Sequence, residues 1–299
     1  MTFENTLLSD RDKGASASPT RTALAALARS NGRVEISYRR KSTASKLVHL
    51  YQQGCGRVRF PKVDHAEYPE AVLINTAGGL TGGDHMAYQV ALESGAGLTI
   101  SGQAAEKIYK SVGNTAVIDA EMQIGAGATL EWLPQETILF DKSRFRRLNK
   151  VNLEAGSRLI AVEATVFGRT AYGETLHSAR IQDGWKIWRD GKLIWFDQFK
   201  LDGDIDAEAA RPAVLAGAKG IATILLADDV ASTYLETAQT LARNSGVRAA
   251  VTCRDELLIM RVLAETGYDL RRAVARILTQ LRSTLAGHPV ALPKVWENQ

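Results

Sequence analysis

From Ala116 to Ile124 the chain alternates: Ala116, Ile118, Ala120, Met122 and Ile124 stand at every second position, separated by Val117, Asp119, Glu121 and Gln123. A period of two puts all five on one face of a strand, where a helix would scatter them. Val34, Ile36 and Tyr38 alternate in the same way with Glu35, Ser37 and Arg39. So do Met86, Tyr88, Val90 and Leu92 with Ala87, Gln89, Ala91 and Glu93. These segments are half-buried strands, and they make the middle of the protein a β-structure. Asp183-Gly184 and Asp190-Gly191 punctuate aromatic-rich runs, which predicts a hairpin turn at each pair.

A repeat lies inside this pattern. VALESGAGLTI, MQIGAGATLEW and VNLEAGSRLIA each read as strand, glycine turn, strand, and aligning Gly97, Gly127 and Gly156 gives intervals of 30 and 29 residues. Stacked coils of a β-solenoid or a two-layer β-stack produce such an interval. A β-sandwich with similar turns stays open at this point. Helical spacing comes late: Ala231 to Ala242 is rich in alanine and leucine, and Leu270, Val274, Ile277, Leu281 and Leu285 recur along Tyr268 to Leu285, with Gly287 as a stop. Between them, Val247 to Thr252 and Leu257 to Leu263 read as strands. The expected fold is mainly β, a stacked β-helical, solenoid-like body with a small C-terminal α/β part carrying about two helices. Residues 1–30 read as a polar tail and 31–299 as one domain, with the β-helical body at 31–230 and the α/β extension at 231–299.

Composition narrows the function classes. The 299 residues are 45% hydrophobic and 23% charged, ordinary for a globular chain. The two cysteines and five histidines are dispersed, with no CxxC, HxH or HExxH spacing, so neither a disulfide framework nor a preformed zinc site is indicated, and a reducing, cytoplasmic setting is expected. Apolar runs are far shorter than the ~20 residues that span a bilayer, and Glu4, Asp10 and Asp12 before Thr22 to Ala28 argue against a secretory signal. The first sixty residues carry 11 Lys/Arg against 4 Asp/Glu. Without interleaved aromatics this skew reads as a solvated tail and strand face, and no nucleic-acid partner is expected.

Two stretches carry candidate chemistry. NTAGGLTGGD (Asn75 to Asp84) concentrates Gly78, Gly79, Gly82 and Gly83, which suits tight turning or close approach of another group. A phosphate loop would need a helix after it, yet His85 to Glu93 alternates as a strand, and neither GK[ST] nor GxSxG occurs. Asp84 has a plain reading as the cap of the glycine turn. The second stretch, LEWLPQETILFDKSRFRR (Leu130 to Arg147), sets Glu131, Glu136 and Asp141 among apolar residues, where an acid needs a cation or a functional reason. Arg144, Arg146 and Arg147 are available as partners.

NTAGGLTGGD, QAAEKIYKS (Gln103 to Ser111), LEWLPQETILFD (Leu130 to Asp141), FGRTAYGE (Phe167 to Glu174) and the terminal PKVW before Glu297 occur in an order that resembles the urease accessory protein UreD family, called UreH in some organisms. The resemblance spans about residues 33 to 296, and LEWLPQETILFD is its most specific motif. It implies a stacked β-helical body with helices near the C-terminus, and a maturation factor without enzymatic activity. Such a factor binds apo-urease and the helical protein UreF, which recruits the GTPase UreG, so that nickel reaches the buried urease site. The chain departs from many relatives in lacking a histidine-proline lead-in to the glycine loop; Ile74-Asn75-Thr76-Ala77 stands there, and no metal role is carried over to it.

With no tightly bound cofactor expected, transient Ni²⁺ calls for oxygen ligands that exchange quickly. The carboxylates in or beside the motifs, Asp84, Glu136, Asp141, Glu163 and Glu174, are the candidate passage residues. Glu106 and Lys107 have an ordinary reading as partners of strand neighbours. Tyr268, Leu281, Leu285 and Trp296 on the C-terminal segment are candidate partner-binding residues; the competing reading is that this helix covers its own β-body. The other function class left open is a carboxylate-dependent hydrolase on a β-solenoid.

Overall fold

A computed structural model describes residues 29–63, 68–169 and 172–297; the expected N-terminal tail falls outside these except for Arg29 and Ser30. The hairpin β1 (Asn31–Lys41) and β2 (Ala44–Gly54) is followed by β3 (Gly56–Arg59), which pairs with β4 (Glu70–Asn75) in a second sheet. From there the chain coils. One rung holds β5 (His85–Leu92), β6 (Gly97–Gly102) and the short β7 (Glu106–Ile108); the next holds β8 (Ala116–Ile124), β9 (Thr129–Leu133) and β10 (Thr137–Leu139); a third holds β11 (Arg144–Leu153) and β12 (Arg158–Phe167). Equivalent strands stack in parallel: β5 on β8 on β11 in the first sheet, β6 on β9 on β12 in the second, and β7 on β10 on the end of β12 between them.

β13 (Ala179–Arg189) adds to the first sheet in parallel and returns as the antiparallel edge strand β14 (Lys192–Gly203). After α1 (Ile205–Ala210), β15 (Gly220–Ala227) joins β12 antiparallel; α2 (Leu235–Arg243), β16 (Arg248–Arg254), β17 (Leu257–Ala264) and α3 (Gly267–Ala286) complete the chain. β17 and β16 extend the second sheet beyond β15. The solenoid-like body and the two longer C-terminal helices are as expected, and α1 is an addition too short for periodicity to reveal.

Two sequence readings are corrected. Asp183-Gly184 makes no turn: β13 runs straight through it, and only Asp190-Gly191 closes the hairpin, with both residues at positive φ. Gly184 lies where β14 passes closely, since a Cβ there would stand 3.0 Å from the Asp197 carbonyl oxygen. In the repeat, the residue equivalent to Gly127 and Gly156 is Gly95 rather than Gly97. These three share φ of +68°, +64° and +69°, at the third position of four-residue turns closed by Glu93 O to Ala96 N, Gly125 O to Ala128 N and Glu154 O to Ser157 N. A left-handed third position is the place a type II turn reserves for glycine. Gly97 pairs with Thr129 as the first residue of its strand.

The core has two layers. Val90, Met122, Leu98, Leu130, Phe145 and Leu159 meet between the sheets. On the far side of the second sheet, Ile160, Val162, Ile224 and Met260 pack against Leu270, Val274, Ile277 and Leu281 of α3. β12 is therefore covered on both faces, which is why its sequence is apolar almost throughout. Thr266 caps the start of α3 by accepting from Asp269 N, and Gly287 ends it at φ +74°.

The coiling divides the molecule into two unlike ends. One carries the three four-residue glycine turns. The other carries the longer crossings that bear the motifs: NTAGGLTGGD before β5, QAAEKIYKS between β6 and β8, LPQETILFD between β9 and β11, and FGRTAYGE between β12 and β13. Motifs some thirty residues apart in sequence thus stack on one another.

Candidate functional site

Alternation places polar residues inside the motif end. On β12, Leu159, Ala161, Glu163, Thr165 and Phe167 share the face toward the first sheet; on β11, Phe145, Arg147, Asn149, Val151 and Leu153 face back. Glu163 and Arg147 consequently meet between the sheets, both about 95% buried, with a guanidinium-to-carboxylate contact of 2.5 Å. Arg147 also binds Asp183 through two hydrogen bonds, of 3.0 and 2.5 Å, and donates to Thr137 Oγ1 at 2.9 Å. Trp132 Nε1 donates to Glu163 at 3.0 Å. Further along the same seam, Arg261 joins Asp197 and Thr223. Burial raises the Glu163 carboxyl above its usual range despite Arg147 beside it, and the anions around Arg147 raise its own pKa.

This seam opens into a cavity of about 510 Å³ lined by residues of the first three motifs: Gly78 and Gly79, Glu106, Glu136, and, deeper, Tyr88, Trp132, Arg147 and Glu163. Glu106 is held by Asn75, whose Nδ2 donates to both carboxylate oxygens at 3.0 and 3.2 Å, and burial pushes its pKa up to about 7. Glu136 pairs with Arg271 at 2.9 Å. This wall is fixed by α3 and the segment after it: Arg271 donates to Trp296 O, Trp296 Nε1 donates to Leu133 O at 3.1 Å, and Gln135 Nε2 donates to Val295 O at 3.1 Å. PKVW is the clasp on the LPQET crossing.

Of the five carboxylates chosen from sequence, Glu136 and Glu163 come together on this cavity, and three lie elsewhere. Asp84 accepts from Ser30 N at 2.9 Å and Thr81 N at 2.8 Å, the capping role of a turn acid. Glu174 accepts from Arg169 N, Arg169 Nε and Asp141 N, and its hydrogen bonds from Arg169 hold its pKa below the usual value. Asp141 accepts from Ser178 N. Glu106, Arg147 and Asp183 were not selected. The inward parity of Arg147 with Phe145 and Val151 was a usable signal; β7, with only three residues, offered none for Glu106.

The glycines have steric reasons. A Cβ on Gly79 would lie 2.4 Å from the Tyr109 ring and 2.8 Å from the Lys107 carbonyl oxygen, and one on Gly82 would lie 2.0 Å from Ser111 Oγ and 2.3 Å from the Asn114 carbonyl oxygen. Gly78, Gly79 and Gly83 take positive φ. What approaches the loop is the next rung of the stack. The C-terminal residues resolve toward the competing reading: Leu281 and Trp296 are buried, Leu285 packs in the same cluster, and Tyr268 alone of the four is exposed. α3 covers its own sheet.

The donors around the cavity are carboxylate, amide and hydroxyl oxygens, with no sulfur or imidazole in its lining. Among the described residues, no three His, Cys, Asp or Glu side chains converge as a metal cage, and no helix is long and apolar enough to cross a membrane.

Fold and cavity together define a two-sheet β-solenoid whose crossings line a surface-open chamber rich in oxygen donors. The model of the UreD urease accessory protein family matches residues 30–297, and the chain belongs to that family. It is 40% identical over 271 residues to urease accessory protein UreD 1 of Brucella abortus, covering 90% of this chain and 95% of the relative. Urease accessory protein UreD of Rhizobium leguminosarum is 40% identical over 269 residues, with the same coverage. That of Magnetococcus marinus is 38% identical over 271 residues, covering 89% and 93%.

Proposed function

We propose that this protein is a urease maturation factor, a scaffold that binds UreF and apo-urease, meets the GTPase UreG through UreF, and passes nickel in transit through the chamber at its motif end. It performs no catalytic turnover of its own and works in the cytoplasm; family membership and the unpaired Cys55 and Cys253 support that reading. The observation that carries the passage is that Glu106, Glu136 and Glu163, from three successive rungs, line one cavity continuous with the Arg147 and Asp183 seam. Oxygen donors, two of them already shared with arginines, suit a borderline dication that must enter and leave, since a thiolate or imidazole cage would retain it.

The test is co-expression of Glu106→Gln, Glu136→Gln and Glu163→Gln variants with urease subunits, UreF and UreG, followed by measurement of nickel per urease active site. We expect each to lower nickel loading, and the triple variant to lower it by about tenfold or more, the scale of lost metal contacts. Full nickel content in urease matured by the folded triple variant would refute the passage.

A further inference from the structure

The FGRTAYGE crossing lies outside the chamber wall, and its surface has an unusual construction. Tyr109 and Phe140 meet edge to face with ring centroids 5.0 Å apart. The Arg169 guanidinium lies 4.4 Å from the Phe140 centroid and 5.7 Å from that of Tyr172. The stack starts at the chamber rim, because Tyr109 OH donates to the Gly78 carbonyl and its ring occupies the space that a Cβ on Gly79 would fill. It then runs outward to Tyr172, which is 83% exposed. A tyrosine so bare gains nothing from burial in its own chain.

The charges around the stack are one-sided. Lys107, Lys110, Lys142, Arg144 and Arg169 are exposed here. Lys107, Lys110, Lys142 and Arg144 form no ion pair among the described residues. Asp141 accepts from Ser178 N, and Glu174 accepts from Asp141 N and Arg169 N and also pairs with the Arg169 guanidinium at 2.9 Å. Four cations without an ion pair, set around exposed aromatics, have the composition of an interface hot spot suited to an acidic partner. A nucleic acid fits less well: it needs open ring faces for base stacking, whereas Phe140 meets the Tyr109 ring and carries Arg169, and Tyr109 packs on Gly79.

We propose that the Tyr109, Phe140, Arg169 and Tyr172 surface docks an acidic segment with an apolar tip from a protein partner, seating that partner at the chamber rim. This rests on the nickel-transit reading only for the partner's purpose, not for its binding. Fluorescence anisotropy would follow a labelled polyglutamate peptide bearing two central phenylalanines, with a serine-for-phenylalanine peptide, oligouridylate and anionic phosphatidylserine vesicles as separate arms. The phenylalanine peptide is expected to bind most tightly, to weaken with added salt, and to lose about tenfold in affinity on Tyr172→Ser or Lys110→Glu, a hot-spot-sized loss. Tyr172 is too exposed for its replacement to unfold the crossing, and Arg169→Glu serves as a stronger second variant. Absence of peptide binding, insensitivity to all three variants, or binding of oligouridylate or vesicles in preference to the peptide would overturn the proposal. Glu163→Gln should bind the peptide like the parent protein. Loss of nickel transfer in that variant with peptide binding unmoved by Tyr172→Ser and Arg169→Glu would discard the dock and leave the passage standing.

Discussion

Glu106 shows how burial turns an ordinary carboxylate into a group that responds near neutrality. Its folded pKa of about 7 lies above the ordinary glutamate value of 4.5, so the folded state holds more protons than the unfolded state across that interval and stability falls as pH rises through it. At about 1.4 kcal/mol per unit, the penalty is on the order of 3.5 kcal/mol above pH 7 and vanishes below the unfolded value. Glu106→Gln should therefore gain stability relative to the parent as pH is raised from 5 to 8, measured by urea melts at each pH; a constant difference would contradict the assignment. Gly79 is the opposite case, a residue needed for what it lacks. Gly79→Ala would push against Tyr109 and the Lys107 carbonyl, with an expected loss of about 1–3 kcal/mol, while Ala at open Gly113, which has φ +150° but nothing within 4 Å, should lose less. Parallel thermal melts of the two variants would decide this.

Among elements, α3 does more than cover a sheet. Arg282 is buried and donates from Nε and Nη2 to Glu131, both at 2.8 Å, while Glu131 also accepts from Thr99. About three turns away, Arg271 holds the LPQET crossing through Glu136. The helix thus grips the second sheet at two depths through side chains that periodicity marks as polar. Removing one partner of such a buried pair strands the other charge, so Arg282→Ala should cost about 3–5 kcal/mol, whereas replacing both Arg282 and Glu131 with methionine should recover much of it. Chemical denaturation of the single and double variants tests this; an equal loss in both would mean that packing, rather than charge, is what Arg282 supplies. The strands were legible because one wet and one dry face leave a period of two, as in β8. Asp183-Gly184 misled for a physical reason: a glycine required by a close neighbouring strand looks the same in sequence as one required by a turn. The repeat was found through Gly127 and Gly156, but two glycines in ESGAG left its first register ambiguous, and only the stacking of Gly97 on Thr129 separates them.

At the scale of the molecule, the coil explains why half of the site could be read and half could not. Motif order gave the family, and carboxylates in or beside the motifs gave Glu136 and Glu163. Which acids share a chamber depends on which crossings stack, and that is fixed by pairings such as Lys107 with Ile138 and Ile138 with Val166. Asp84, Asp141 and Glu174 belong to the same crossings yet spend their oxygens on backbone N–H groups. Because chemistry is confined to one end, a short peptide inserted at Ala126-Gly127, in an exposed four-residue turn, should leave nickel transfer to urease unchanged. The same insertion at Gly78-Gly79 should abolish it, and loss of transfer from both would show that the ends are not independent.

The clasp between Trp296 and Leu133 has a consequence in time. The two residues are 163 positions apart, so during synthesis the rungs can accumulate while one wall of the chamber still lacks its support. Only after Arg271, Val295 and Trp296 have been made does the LPQET crossing acquire these contacts. A chain that stops or is clipped before Trp296 is in this sense a solenoid with its door off the hinge: its rungs are made, but this wall of the chamber lacks its clasp.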